Sequence, residues 1–194
     1  MCLLNNPTKI ILASQSPRRV ALLKQMGVDC IVMPADIDET ALVNESPTDY
    51  VLRLAQQKAL AVAAKLQHKH LPILAADTTV ALGNEILGKP ESAQDAFNML
   101  KKLSNSAHQV HTAIAVAFNG KLETALNSTR VEMMPLSDAM INAYIATGEP
   151  MDKAGSYGIQ GKAGCWIKKI EGSYTGVMGL PVFETAILLE KLKV

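Results

Sequence analysis

Aromatic residues are scarce in this chain of 194 residues: one tryptophan, 4 tyrosines and 3 phenylalanines, together 4% of it. Hydrophobic residues at 48% are enough for a core, but that core must be mostly aliphatic. So few rings also argue against the stacking platforms that bind single-stranded nucleic acid. Excess charge of either sign is missing too. The 19 Lys and Arg nearly balance 18 Asp and Glu, leaving a formal charge of +1. With no polybasic tail or acidic block, bulk charge points neither to nucleic acid nor to a membrane surface. Any anion must be held by a few placed cations.

Cysteine is limited to Cys2, Cys30 and Cys165, an odd number without a C-x-x-C pair. That disfavours a zinc ribbon or a thioredoxin-like motif and fits free thiols in a reducing compartment. No apolar run approaches the roughly 18 residues that a membrane helix needs. Residues 1–6 lack the basic start and apolar stretch of a secretory signal. The expectation is a cytoplasmic protein with no membrane partner. Several catalytic signatures are absent as well: no G-x-x-x-x-G-K-[ST] loop, no G-x-S-x-G elbow, no H-E-x-x-H helix. His68-Lys69-His70 and His108-Gln109-Val110-His111 lack both zinc-helix spacing and a nearby cysteine, which disfavours a metal reading.

What remains is a regular alternation of strand and helix signals. Ile10-Ile11-Leu12-Ala13 is a short apolar run of buried-strand type, and Ser16-Pro17 then reads as N-cap and first residue of a helix. Val20, Leu23 and Met26 stripe that helix, Gly27 fits its end, and residues 28–33 predict a second strand. Ser46-Pro47-Thr48-Asp49 opens a longer helix with a capping box; its stripe runs Val51, Leu54, Ala55, Val62, Leu66. Residues 71–82 predict a strand, with Gly83-Asn84 turning into Glu85-Ile86-Leu87. Pro90 is expected to open a helix through Leu103, with Ala96, Met99, Leu100 and Leu103 on one face. Asn119-Gly120 is the clearest hairpin signal, joining strands at 110–118 and 122–133. Ser137 should cap a short helix ending near Gly148, and a glycine-rich loop runs over 152–164. A strand is then expected at 165–170, and a last helix from Pro181. Crossovers and hairpins together predict one α/β unit over residues 1–194 with a mixed sheet.

Three positions carry chemistry. Ala13-Ser14-Gln15-Ser16-Pro17-Arg18-Arg19 joins a buried strand to a helix N-terminus, whose free N–H groups and positive dipole suit a phosphate. Arginines in a first turn oppose the dipole, which argues for an anion between them and the backbone; solvated arginines on an ordinary capped helix are the alternative. Lys58 follows Leu54 by four residues and Ala55 by three, so it lies on or beside the apolar stripe. Either its stem snorkels, or its ammonium points inward at a phosphate. Asp77 stands inside Ile73-Leu74-Ala75-Ala76-Asp77-Thr78-Thr79-Val80. A buried carboxylate must be paired, hydrogen-bonded or metal-bound, so Asp77 is either satisfied by backbone N–H groups at a bulge or ligates a cation and accepts a proton. Weaker candidates are the acidic stretch Asp36-Ile37-Asp38-Glu39 and the lysine of Gly88-Lys89-Pro90.

These segments, in order, resemble the Maf family of nucleotide pyrophosphatases over about residues 10–192. The similarity is carried by Leu12-Ala13-Ser14-Gln15-Ser16-Pro17-Arg18-Arg19, Asp38-Glu39, Arg53-Leu54-Ala55-Gln56-Gln57-Lys58-Ala59 and Ala76-Asp77-Thr78. It continues in Gly88-Lys89-Pro90, Asp152-Lys153-Ala154-Gly155-Ser156-Tyr157-Gly158-Ile159-Gln160-Gly161 and Gly179-Leu180-Pro181. The resemblance implies an elongated mixed sheet flanked by helices, two lobes around a central cleft, and a homodimer. It implies hydrolysis of a nucleoside triphosphate to monophosphate and pyrophosphate with Mg²⁺ or Mn²⁺, as nucleotide-pool housecleaning. It assigns Asp77 as proton acceptor, Ser14, Arg18, Lys58 and Lys89 to the triphosphate, Thr78 and Gln160 also to substrate binding, and Glu39 with Asp77 to the metal. Arg18 after Pro17, Thr78 after Asp77, and Gln160 look like the dTTP/UTP branch, and a glutamine amide matches the donor–acceptor edge of uracil or thymine. Ala75-Ala76 departs from the family, where a glycine is common before the aspartate. The alternatives are a 7-methyl-GTP or broad-specificity pyrophosphatase, or a nucleotide-binding regulator of septum formation. A nucleic-acid protein built on Arg18-Arg19 is disfavoured by the near-neutral charge.

Overall fold

A computed structural model describes residues 8–66 and 71–192. Seven strands form one mixed sheet: β1 (Thr8–Leu12), β2 (Val28–Val32), β3 (Ile73–Leu82), β4 (Glu85–Leu87), β5 (Ala107–Phe118), β6 (Lys121–Met133) and β7 (Ile167–Glu171). Their order is β2-β1-β3-β5-β6-β7, with β4 also paired to β3. β1 runs parallel to β2 and β3, and the remaining pairs are antiparallel. The parallel pairs need crossover helices, which are α1 (Pro17–Gln25) and α2 (Pro47–Lys65). β5 and β6 need only a two-residue turn, in which Asn119 and Gly120 both take positive φ (49° and 76°).

α3 (Ala93–Leu103), α4 (Asp138–Ile145), α5 (Tyr174–Val177) and α6 (Val182–Lys191) complete the framework. Among the described residues, no helix is long and apolar enough to cross a membrane.

Alternation along the long strands builds the core. Leu74 and Ala76 of β3, with Ile114 and Val116 of β5, face α1 and α6. Ile73 and Ala75, with Ala113, Ala115 and Ala117, face α2 and pack on Val51, Ala55, Ala59 and Val62. Small alanines on this face let α2 lie close to the sheet. Farther along the same strands, Val80 and Val110 enter a third cluster with Leu100 and Leu103 of α3, Ile141 and Tyr144 of α4, and Trp166. Two clusters thus sandwich one end of the long strands and a third fills the other end.

The expected elements form, with three corrections. Ser16 is the N-cap residue of α1 with Pro17 following, but its side chain makes no capping bond. Pro90 does not open a helix: α3 starts at Ala93, because Ser92 accepts a hydrogen bond from the Asp95 amide at 3.1 Å and a side-chain cap outcompetes a bare proline. Lys89 therefore does not sit at a helix end. Residues 162–166 form a 3-10 turn, so β7 begins at Ile167 rather than Cys165. Cys30 and Cys165 are free thiols; Cys2, His68 and His70 lie outside the described residues.

The remaining histidines are structural. His111 Nδ1 pairs with Ser128 Oγ at 2.8 Å, and His108 Nε2 pairs with Tyr157 Oη at 2.7 Å. His108 is 2% exposed, and burial lowers its pKa to about 4 from 6.5. An unfolded histidine therefore takes up a proton that folded His108 refuses. Its contribution is intact above pH 6.5 and is lost as pH falls toward 4, up to about 3 kcal/mol. Urea denaturation of wild type and His108→Gln at pH 7 and pH 4.5 should show the variant losing less stability on acidification. Equal losses would contradict this account.

Candidate active site

β1 and β4 lie against the same edge of β3, because the other edge is taken by β5 from Ile73 to Ala81. β1 pairs only at Ile73 and Leu74, and β4 only from Val80 onward. Between them the edge at residues 75–79 has no neighbouring strand. A cleft of about 820 Å³ opens at this gap, within the range of small-ligand sites. The loop after β1, the start of α1, the stretch around Lys89 and the residue 158–161 turn all line it.

Strand alternation decides what each residue beside the gap meets. Asp77 shares its face with Ile73 and Ala75 and so looks toward α2. Lys58, one turn beyond Leu54 on that helix, donates from Nζ to Asp77 Oδ1 at 2.6 Å and reaches Glu39 Oε1 at 2.7 Å. Asp77 and Lys58 are 7% and 8% exposed, while the Glu39 side chain is 50% exposed at the mouth. Lys58 thus points inward rather than snorkelling, and Asp77 is paired with a cation rather than satisfied at a bulge. Burial pushes the Asp77 carboxyl above the ordinary aspartate range; Lys58 and Arg19 oppose the shift and Glu39 adds to it.

Thr78 faces the opposite way, toward α1 and α5. Its hydroxyl accepts from Arg19 Nη2 at 3.2 Å and lies 2.9 Å from Thr112 Oγ1. Thr112 donates to the Gly176 carbonyl at 2.8 Å, so Thr78 must be the donor to Thr112. Its hydroxyl is largely engaged within the protein. Arg19 also donates from Nη1 to Ser14 Oγ at 2.9 Å and from Nε to the Gly179 carbonyl at 2.8 Å. Ser14 Oγ further accepts from the Ser16 amide at 3.2 Å, which shapes the loop entering α1.

Arg18 lies 3.6 Å from Asp152 on the other wall, with about a third of its side chain exposed. Despite partial desolvation, Lys153 and Arg18 hold the Asp152 carboxyl below its usual range. Lys89 lines the cleft and, among the described residues, forms no ion pair. Its segment is held by Gly155, whose amide donates to the Gly88 carbonyl at 3.0 Å. Gly155 takes φ 65° and lies so close to β3 that a Cβ would sit 2.9 Å from Val80. Gln160 is exposed in the cleft wall, on a turn closed by the Gly161 amide and the Gly158 carbonyl at 3.0 Å.

Ser14, Arg18, Glu39, Lys58, Asp77, Thr78, Lys89 and Gln160 line this one cleft, whereas Asp36 and Asp38 of the acidic stretch do not. Sequence reasoning gave Arg19 too little weight, although Arg19 ties α1, β3 and the Gly179 loop together; its signal was a second arginine in a first turn. Among the described residues there is no group of three or more His, Cys, Asp or Glu that could hold a metal. Glu39 and Asp77 do converge on a single ammonium. Two carboxylates are a donor set that suits a hard divalent ion, so Glu39 and Asp77 would be the residues to hold one.

The fold and site thus define a mixed α/β sheet parted beside a buried lysine–carboxylate cluster, with further cations lining an open cleft. The chain belongs to the Maf family: the family described as Maf-like protein matches residues 9–192. It is 56% identical over 184 residues to a dTTP/UTP pyrophosphatase of Methylobacillus flagellatus, covering 95% of this chain and 92% of that one. It is 52% identical over 187 residues to a dTTP/UTP pyrophosphatase of Chromobacterium violaceum, covering 95% and 94%. It is 50% identical over 189 residues to a nucleoside triphosphate pyrophosphatase of Haemophilus ducreyi, covering 96% of each.

Since Lys58 holds the Asp77 pKa down against burial, Lys58→Met should move it higher still. Carboxyl NMR titration of the metal-free protein measures this directly. An unchanged midpoint would mean that Lys58 and Asp77 are not electrostatically coupled.

Proposed function

We propose that this protein is a nucleoside triphosphate pyrophosphatase that hydrolyses dTTP and UTP to the monophosphate and pyrophosphate. The observation that carries the reading is Lys58 seated between Asp77 and Glu39 in a cleft that also holds Lys89 and Arg18. The names of the relatives agree with it.

In this reading Ser14, Arg18, Lys58 and Lys89 hold and neutralise the triphosphate. Asp77 takes a proton from the attacking water as the bond between the α- and β-phosphates breaks and pyrophosphate leaves. A carboxylate whose affinity for protons is raised by burial suits that role better than an exposed one. Glu39 and Asp77 would hold Mg²⁺ or Mn²⁺, which supplies charge neutralisation on the phosphate oxygens when bound. Thr78 contributes by fixing Arg19 and so the wall of the phosphate site. Gln160 reads the base through its amide, which matches the donor–acceptor edge of a pyrimidine. The protein acts in the cytoplasm on free nucleotides, as a homodimer, with no nucleic-acid or membrane partner.

Pyrophosphate release across a nucleotide panel, with Mg²⁺, with Mn²⁺ and with neither, tests the whole reading. Asp77→Asn should lower turnover by about 10²–10⁴-fold while the thermal unfolding profile keeps its cooperative shape. Retained kcat would remove Asp77 from the chemistry. Gln160→Ala should raise KM for dTTP and UTP by about tenfold, the size of one lost hydrogen-bonding group, without lowering stability. Unchanged selectivity across the panel would rule out Gln160 as the base reader.

A further inference from the structure

Residues 33–46, between β2 and α2, form a strap without helix or strand, yet they deliver Glu39 to within 2.7 Å of Lys58. Packing contributes little at the tip of this strap, where Leu42 is 59% and Val43 92% exposed. The strap is held instead by a set of hydrogen bonds from one flank of α2. Tyr50 Oη donates to the Glu39 carbonyl at 3.0 Å. Arg53 grips Glu45 with both prongs of its fork, Nε to Oε1 at 2.6 Å and Nη2 to Oε2 at 2.7 Å, and Nη2 also reaches the Thr40 carbonyl at 3.1 Å. Glu45 Oε2 in turn accepts from the Leu42 amide at 3.0 Å. The guanidinium lies 5.7 Å from the centre of the Tyr50 ring, and Nη1 donates to Gln57 at 3.3 Å.

This is not an ordinary surface ion pair. The Arg53 and Glu45 side chains are only 19% and 7% exposed, and their geometry is bidentate. The grip also holds the Glu45 carboxyl down to about 2. Arg53 and Lys58 are five residues apart on one rigid helix. α2 therefore sets the position of Lys58 and, through Arg53 and Tyr50, the position of the carboxylate that Lys58 must meet.

We propose that Arg53, through its fork on Glu45, is a positioning residue that fixes Glu39 opposite Asp77 and thereby sets the affinity of the site for a divalent cation. The inference rests on reading Glu39 as a metal ligand, and the test separates the two. Mn²⁺ alone is titrated into the nucleotide-free protein and followed by electron paramagnetic resonance, for wild type, Arg53→Ala, Arg53→Lys, Glu45→Gln and Glu39→Gln. Arg53→Ala and Glu45→Gln should weaken Mn²⁺ binding by about tenfold, the scale for partners that orient metal ligands. The Mn²⁺ concentration for half-maximal turnover should rise by the same factor, with kcat recovering at saturating Mn²⁺. Arg53→Lys keeps the charge without the fork and should fall between wild type and Arg53→Ala. Amide hydrogen exchange in the metal-free protein should quicken over residues 36–45 and stay slow in α2. If Arg53→Ala does not fold, Glu45→Gln, with its cooperative melting checked first, decides alone. Unaltered Mn²⁺ affinity in a folded variant overturns the inference. If Glu39→Gln also leaves Mn²⁺ binding intact, the assignment of Glu39 itself falls; if Glu39→Gln abolishes binding while the folded Arg53 and Glu45 variants do not weaken it, only the positioning role falls.

Discussion

An ammonium group held between two carboxylates, one buried with it and one half exposed at the mouth of the cleft, is the arrangement around which the site is built. Lys58, Asp77 and Glu39 cannot be considered singly. A lone buried lysine or aspartate would lose several kcal/mol of solvation, and taking away one member of a buried pair typically costs about 3–5 kcal/mol. Together they are nearly compensated, with one formal charge in excess that the cations around the cleft can balance. The same arrangement leaves the site responsive. In the proposed function, a phosphate would bring negative charge toward Lys58 and a divalent ion positive charge toward Asp77 and Glu39, each taking over part of the work of the internal pair.

The sheet makes room for this cluster by a particular economy of pairing. Had β1 continued past Leu74, or β4 begun before Val80, the edge of β3 at Asp77 would be covered by backbone and closed to ligands. The gap lies where the parallel part of the sheet gives way to the antiparallel part. Ligand sites in open α/β sheets commonly lie where strand connections diverge, because the loops part there. The two faces of β3 then divide the tasks. Asp77 meets the ammonium of Lys58 on α2, while Thr78, turned the other way, joins Arg19 and Thr112 in a hydrogen-bonded wall. One strand thus serves two functions through its period of two.

Much of this was legible in the chain. The stripe of α2 put Lys58 on or beside the apolar face without deciding which way its ammonium points, and an aspartate within an apolar strand required a partner. The Asn119-Gly120 hairpin and the capped start at Ser46 were equally readable, since each is a local signal with a local cause. Other features were misread for equally physical reasons. Pro90 carries a helix-start signal, but Ser92 carries a stronger one and the helix obeyed it. The extended look of residues 165–166 yielded to a 3-10 turn that brings Trp166 into the core. Arg18 and Arg19 are indistinguishable by composition, and only the phase of α1 against the sheet separates the one that ties Ser14 to Thr78 from the one that faces Asp152.

By itself, then, the sequence determined which residues carry charge into apolar surroundings, where helices and turns begin, and the alternating pattern that makes a mixed α/β sheet. These are properties of neighbours a few positions apart, governed by periodicity and capping. Only the tertiary structure decided that Lys58 faces both Asp77 and Glu39, that Arg53 grips Glu45 beneath the same helix, and that Lys89 and Gln160 close the cleft from the far side. Lys58 lies 19 residues from Asp77 and Arg53 lies 8 from Glu45, and each pair joins different elements, beyond the reach of helix or strand periodicity. Their geometry depends on how helices seat against a twisted sheet, where sub-ångström packing rather than residue type sets the distances.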